Sequence, residues 1–273
     1  MASSSASTTV VSLWRYPVKS MQGEELNASL VGDRGLLGDR AYALIDAADG
    51  KVASAKNPRK WPNLFAFRAS YFEDPRPGGE TTRVRITLPD GTSAAGNQTN
   101  LGSLLKPILG REATLKAAVP DKPVLEGYWP DIEGLDHRDK VTDVEMPAGT
   151  FFDLATIHLL TTATLDKLLS LYPEGRFEVR RFRPNIVVAV AGHPREFVEN
   201  DWVGRTLLLG SEVCLKIIKP CGRCVMTTLA QSDLPHDPGI LRTAVKNNRG
   251  HVGVYATVVR GGTIRRGDSL RLE

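Results

Sequence analysis

The segment Pro220-Cys221-Gly222-Arg223-Cys224 sets two thiols three residues apart in a stretch broken by Pro and Gly. Thiolates are soft ligands and good nucleophiles, so this C-x-x-C admits several chemistries. A structural zinc site needs four ligands, and only Cys214 and scattered His remain to complete one. A thioredoxin-like redox pair opens a helix after a strand. Here Val225-Met226-Thr227-Thr228-Leu229 follows, and that run is β-prone. Two cysteines packed in a core are a third reading, although a Pro/Gly turn is a poor place for core packing. The fourth is a single reactive thiolate, favoured electrostatically by the neighbouring Arg223 and suited to a soft metal centre. The residues alone leave all four open.

Other candidates are cationic. Lys19 and Ser20 close Tyr16-Pro17-Val18-Lys19-Ser20, Arg40 follows Gly38-Asp39, and Arg183 and Asn185 lie in Phe182-Arg183-Pro184-Asn185-Ile186. Taken singly, each reads as a solvated surface charge. Together they would make an anion cradle, because guanidinium presents a fork that matches phosphate.

The elements that must position these residues are mostly short and extended. Val10 to Tyr16 reads as a strand ended by Pro17, and Ala41 to Ile45 as a strand followed by an Asp46–Gly50 hairpin turn. Val84 to Leu88 alternates and leads into the turn Pro89-Asp90-Gly91, so the region up to about Leu115 suggests an all-β unit. From Pro120 to Gly149 the chain is rich in Pro, Asp and Gly and reads as a linker or irregular lead-in. The second region starts near Thr150. Leu165, Leu168, Leu169 and Tyr172 share a helical face, with Thr162 as a possible cap and Pro173-Glu174-Gly175 as the stop. Ile186 to Val190 suits a buried strand, and Thr206–Leu209 with Val213–Ile218 suits a hairpin around Gly210-Ser211. Asp237-Pro238 reads as an N-cap and first helical position, and two strands from Val252 to Leu272 turn at Gly261-Gly262.

Composition narrows the classes. The 273 residues are 41% hydrophobic and 24% charged, which argues against wholesale disorder. A formal charge of +4, with mixed-sign clusters such as Arg176 to Arg181, gives no footprint for nucleic acid. Three Cys make no disulfide scaffold and suggest a reducing compartment. Residues 1–9 lack a charged n-region and an apolar h-region and read as a disordered leader. No apolar run reaches the roughly 20 residues that span a bilayer. The expectation is a soluble, cytoplasmic protein with no membrane or nucleic-acid partner.

Several of these segments together resemble a known family. Tyr16-Pro17-Val18-Lys19-Ser20 and Gly38-Asp39-Arg40 resemble the N-terminal β-barrel domain that precedes a MOSC domain. Arg181 to Ile186, Pro220 to Cys224 with Thr227-Thr228, Val252-Gly253-Val254-Tyr255, Gly262-Thr263-Ile264 and Gly267-Asp268 resemble the MOSC domain itself. Order and spacing match from about Val10 to Leu272. The motifs are similar to those of the mitochondrial amidoxime-reducing components and their bacterial counterparts.

The resemblance implies a mostly β fold with a few helices (α+β). A β-barrel-like lobe over 10–119 would precede a MOSC β-barrel domain over 120–273, with 120–149 as its lead-in. It implies a molybdenum–molybdopterin cofactor whose metal is ligated by the second cysteine, Cys224, the one catalytic residue expected. Lys19, Ser20, Arg40, Arg183, Asn185, Arg223 and Tyr255 fall on cofactor-contacting positions. Gly222 stands where relatives carry Ser, so only its backbone contact carries over, and Leu154 and Ala155 match another backbone-contact stretch. The implied activity is reduction of N-hydroxylated compounds such as amidoximes, hydroxylamines and N-hydroxy bases. Its electrons would come from a separate ferredoxin- or cytochrome b5-like carrier with a flavin reductase. We expect no membrane anchor and no ferredoxin-like domain, and three cysteines cannot hold a four-Cys cluster. A Cys224 persulfide carrier and a molybdopterin-storage module are the alternatives. No carboxylate or His stands out as a proton donor.

Overall fold

The computed structural model describes residues 8–78, 82–192 and 195–273, so the expected leader lies largely outside the described residues. The chain is mostly β with a few helices, as expected. Its centre is an eight-stranded sheet in the order Leu270–Leu272, Thr206–Leu209, Val213–Gly222, His251–Arg260, Ile157–Thr161, Ile186–Ala189, Thr9–Arg15 and Glu24–Leu26. Every pairing in it is antiparallel except Ile157–Thr161 with Ile186–Ala189. A parallel pair needs a crossover, and the helix Thr162–Leu171 lies within it. That helix is capped by Thr161, whose side chain accepts from the Thr164 amide, one residue before the expected cap. The helix Pro238–Asn248 has the expected Asp237 cap and Pro at its start.

The two halves of the sequence exchange elements. Strand Thr9–Arg15 lies inside the large sheet and pairs with Ile186–Ala189, while Ala28–Gly32 pairs with Gly262–Arg265. Val10 and Leu13 therefore belong to the same core as Leu159, Leu215 and Val254. In return Met226 joins the N-terminal core around Phe67, Trp61 and Leu105, with Cys224 and Leu229 packed against it.

Four expectations need correction. The segment expected to form one last strand after Gly261-Gly262 forms two, Gly262–Arg265 against Ala28–Gly32 and Leu270–Leu272 against Thr206–Leu209, because partners distant in sequence take them. The all-β N-terminal unit contains a helix, Leu101–Leu109, which buries Leu101, Leu105 and Leu109 and ends at Gly110 in the left-handed region. Gly102 and Pro107 mask its four-residue spacing. The expected irregular stretch 120–149 contains a six-pair hairpin, Val124–Trp129 with Lys140–Glu145. Its base is buried through Leu125 and Met146, against Val52 and Phe151. The β-prone run after Cys224 is a 3-10 helix, Val225–Thr228. Thr227 and Thr228 donate their hydroxyls back to the carbonyls of Cys224 (3.1 Å) and Val225 (2.8 Å), and such local bonds outcompete a strand ladder.

Candidate functional site

The residues singled out from the sequence come from distant parts of the chain and meet at one cavity. Lys19 and Ser20 reach it from the turn after the first strand, and Arg40 from the turn after Gly35–Leu36. Leu154 and Ala155 lie on the irregular approach to Ile157–Thr161. Arg183 and Asn185 sit between the short helix Val179–Phe182 and strand Ile186–Ala189. Gly222, Arg223 and Cys224 end the strand Val213–Gly222, and Tyr255 projects from His251–Arg260. Three of these, Ser20, Arg40 and Arg183, hold positive φ of 62°, 49° and 55° without being Gly. Such backbone is costly and concentrates where side chains must be aimed.

The cavity is cationic. Lys19, Arg40, Lys56, Arg183 and Arg223 line it against one carboxylate, Asp153. Sequence reasoning missed Lys56, Asp153 and His158. The signal lay beside a flagged stretch, since Phe152-Asp153 immediately precedes Leu154-Ala155. Lys19 Nζ donates to Asp153 Oδ1 at 2.5 Å and to the Phe151 carbonyl at 2.9 Å, and Lys56 lies 3.3 Å from Asp153 Oδ2. Burial lowers Lys19 to about 8 despite its carboxylate partner. Burial also acts to raise the Asp153 carboxyl, but the two ammoniums outweigh it and hold it well below the usual range.

Arg40 and Arg183 share one aromatic platform. Their guanidiniums lie 4.8 and 4.2 Å from the Tyr16 ring centroid, a cation–π arrangement that keeps two like charges apart and oriented. Arg183 donates to the Met21 carbonyl at 2.7 Å. Burial, with Arg40 nearby, brings its pKa down to about 10, so it remains charged at neutral pH. Arg40 pairs with the buried Asp39, which also accepts from the Tyr16 amide at 2.7 Å. Asn185 is occupied by the scaffold. It donates to Asp39 at 2.9 Å and to the Trp14 carbonyl at 3.3 Å, and accepts from the His158 amide at 3.1 Å.

The two cysteines of the motif differ. Cys221 is fully buried and accepts from Arg223 Nη1 at 2.6 Å, while Cys224 is half-buried and lines the cavity. Cys214 is buried in the Thr206–Leu209/Val213–Gly222 ladder, opposite Leu208. Arg223 also donates to the Phe182 carbonyl at 2.9 Å. Its Nε is buried without a partner. Burial raises the Tyr255 hydroxyl well above its ordinary value, helped by the Cys221 sulfur. Burial, with Arg223 nearby, lowers His158 to about 3, so its ring is neutral at physiological pH. No group of three or more His, Cys, Asp or Glu suited to a metal occurs among the described residues.

Two family models cover most of the chain. The MOSC N-terminal beta barrel domain matches residues 7–117 and the MOSC domain residues 148–271. The chain belongs to the MOSC-domain family. Within that family it is similar to mitochondrial amidoxime reducing component 2 of Macaca fascicularis, 28% identical over 81% of this chain. It is also similar to human mitochondrial amidoxime-reducing component 1, 26% identical over 81% of this chain. The chain spans 66% of the length of each of these relatives. Among solved structures, the YUAD protein of Bacillus subtilis aligns over 98% of this chain and 96% of its own, with a TM-score of 0.49 and 12% identity. MOSC membership points to molybdenum-cofactor-associated chemistry. No helix among the described residues is long and apolar enough to cross a membrane.

Proposed function

We propose that this MOSC protein binds a molybdenum–molybdopterin cofactor in the cationic cavity and reduces N-hydroxylated compounds with electrons from a separate carrier protein. The observation that carries this is the meeting of five cations and one accessible thiol at one cavity. The donor set fits the group. Molybdopterin ends in a phosphate, which suits Lys and Arg, and its dithiolene supplies ligands that the described residues lack. A soft metal would take one protein thiolate, from Cys224.

When bound, the cofactor supplies the two-electron, oxygen-accepting chemistry that no side chain has. The side chains do the rest. Lys19, Arg40 and Arg183 would hold the anionic end, with the Tyr16 ring fixing the two guanidiniums. Arg223 would neutralise charge beside both sulfurs. The conversion of R–NHOH, two electrons and two protons to R–NH2 and water needs proton delivery. His158 stays neutral and Asp153 ionised, so neither is a proton source near pH 7. We place the protein in the cytoplasm, where three free thiols stay reduced. The domain limits we propose are 10–119 and 120–273.

A panel of N-hydroxylated compounds, assayed with an artificial dye reductant on protein made in a cofactor-competent host, tests the reading. Turnover proportional to bound molybdenum is expected. Full molybdenum and pterin without turnover would indicate storage, and sulfane sulfur on Cys224 without molybdenum would indicate a sulfur carrier.

A further inference from the structure

Beside the cationic cavity lies a second hollow of different chemistry. The hairpin Val124–Trp129/Lys140–Glu145 and its loop contribute Tyr128, Trp129, Leu135 and Val144 to its wall, facing the Arg249-Gly250-His251 segment. Its volume is about 360 Å³, at the small end of the usual range of ligand pockets. It shares Lys56, Gly222, Arg223 and Cys224 with the cationic cavity, so the two hollows meet at the thiol. At their junction a Cβ added to Gly222 would meet nothing within 4 Å, so that wall is open.

The pocket is held in shape from several sides. Leu125 is fully buried at the hairpin base, and the Tyr128 amide donates to the Lys56 carbonyl at 2.7 Å. Lys51 bridges both strands, to Glu126 at 3.0 Å and Asp143 at 2.7 Å. Trp129 Nε1 donates to Thr142 Oγ1 at 2.9 Å, and its ring meets His137 edge-on at 5.0 Å. The Arg59 guanidinium sits 4.0 Å over the Tyr128 ring. Both aromatic rings are therefore fixed before any ligand arrives, which lowers the ordering cost of binding. Residues 118–147, which include this hairpin, lie in neither stretch matched by the family models.

We propose that the hairpin pocket determines substrate specificity, taking the flat aromatic body of an N-hydroxylated compound while its N–OH group reaches the cofactor site beside Cys224. This rests on the reductase reading above. Trp129 and Leu135 are specificity residues in it and take no part in the chemistry.

The test compares benzamidoxime with acetamidoxime on the cofactor-loaded full-length protein. Binding is read by calorimetry and turnover with an artificial reductant, for wild type, Trp129→Ala, Leu135→Ala and Trp129→Phe, each first checked for an unchanged melting temperature. Trp129→Ala should weaken benzamidoxime binding and raise its KM roughly tenfold, the scale of one lost aromatic contact with its buried area. Leu135→Ala should act in the same direction, and Trp129→Phe should retain most of the affinity. The kcat values and the acetamidoxime KM should not move. Equal weakening of both compounds, or unchanged benzamidoxime binding in both alanine variants, overturns the proposal. Failure of wild type to bind benzamidoxime overturns it whatever the turnover. Trp129-dependent binding with no turnover of either compound supports the pocket and counts against the reductase reading.

Discussion

Cys221 and Cys224 lie three residues apart, yet one is sealed under Arg223 and the other faces the cavity. Sequence could name both thiols but not their exposure, which depends on where Arg223 turns its guanidinium. Asn185 shows the same limit. It lines the cavity, and its amide also ties three segments together, which the sequence does not show. Asn185→Ala should therefore lower stability by about 2–4 kcal/mol in denaturant titration, because it strands buried donors and acceptors. A loss under 0.5 kcal/mol would contradict that role. His158 gives a pH signature. Its folded pKa, lowered to about 3 chiefly by burial, lies below the unfolded value near 6.5. Between those values the unfolded chain binds more protons, so stability falls on acidification from pH 6.5 towards 3, at about 1.4 kcal/mol per pH unit. Burial also lowers His251, which adds to the same limb. His158→Gln should flatten the slope between pH 6.5 and 4.5 by about one proton. An unchanged slope would place the imidazolium in the folded state.

At the scale of elements, the strands, the Asp237-capped helix and the Thr206–Leu209/Val213–Gly222 hairpin were legible because period-2 patterns, Pro and Asp-Gly act locally. The hairpin over 124–145 and the 3-10 helix after Cys224 were not, because tertiary partners decide them. Arg181 is one such partner. It is fully buried and donates to the carbonyls of Arg176 (2.8 Å), Thr227 (3.2 Å), Leu229 (3.2 Å) and Pro235 (2.9 Å), clamping the segment that follows Cys224. Arg181→Met should cost about 3 kcal/mol or more, since it leaves several buried carbonyls unpaired. Near-native stability in that variant would remove the clamp from the account. The exchange of strands between the halves has a sharper consequence. A fragment starting at Pro120 lacks the Thr9–Arg15 strand and the core that receives Met226. It should show no cooperative thermal transition and retain no cofactor. A cooperative melt with full cofactor retention would show that the second half stands alone.

Over the whole molecule, the proposed reductase would draw its electrons from another protein, since three cysteines cannot hold a four-Cys cluster. NAD(P)H alone should give no turnover, and a flavin reductase with a small ferredoxin or haem carrier should restore it. The restored rate should fall with salt, because exposed charges are screened over roughly 8 Å at physiological ionic strength. Coupled NAD(P)H oxidation by the isolated chain would contradict this architecture. The convergence of Lys19, Arg40, Arg183 and Cys224 rests on folding that brings the first strand into the second half's sheet, and their shared cavity is the basis of the functional reading. The most direct test is molybdenum and pterin content of Cys224→Ser and Cys221→Ser, made side by side with wild type in a cofactor-competent host. The account predicts that Cys221→Ser keeps metal, pterin and turnover, because a serine hydroxyl can still accept from Arg223, while Cys224→Ser loses bound molybdenum or holds it without turnover. Metal and turnover that survive in Cys224→Ser and vanish in Cys221→Ser would contradict it.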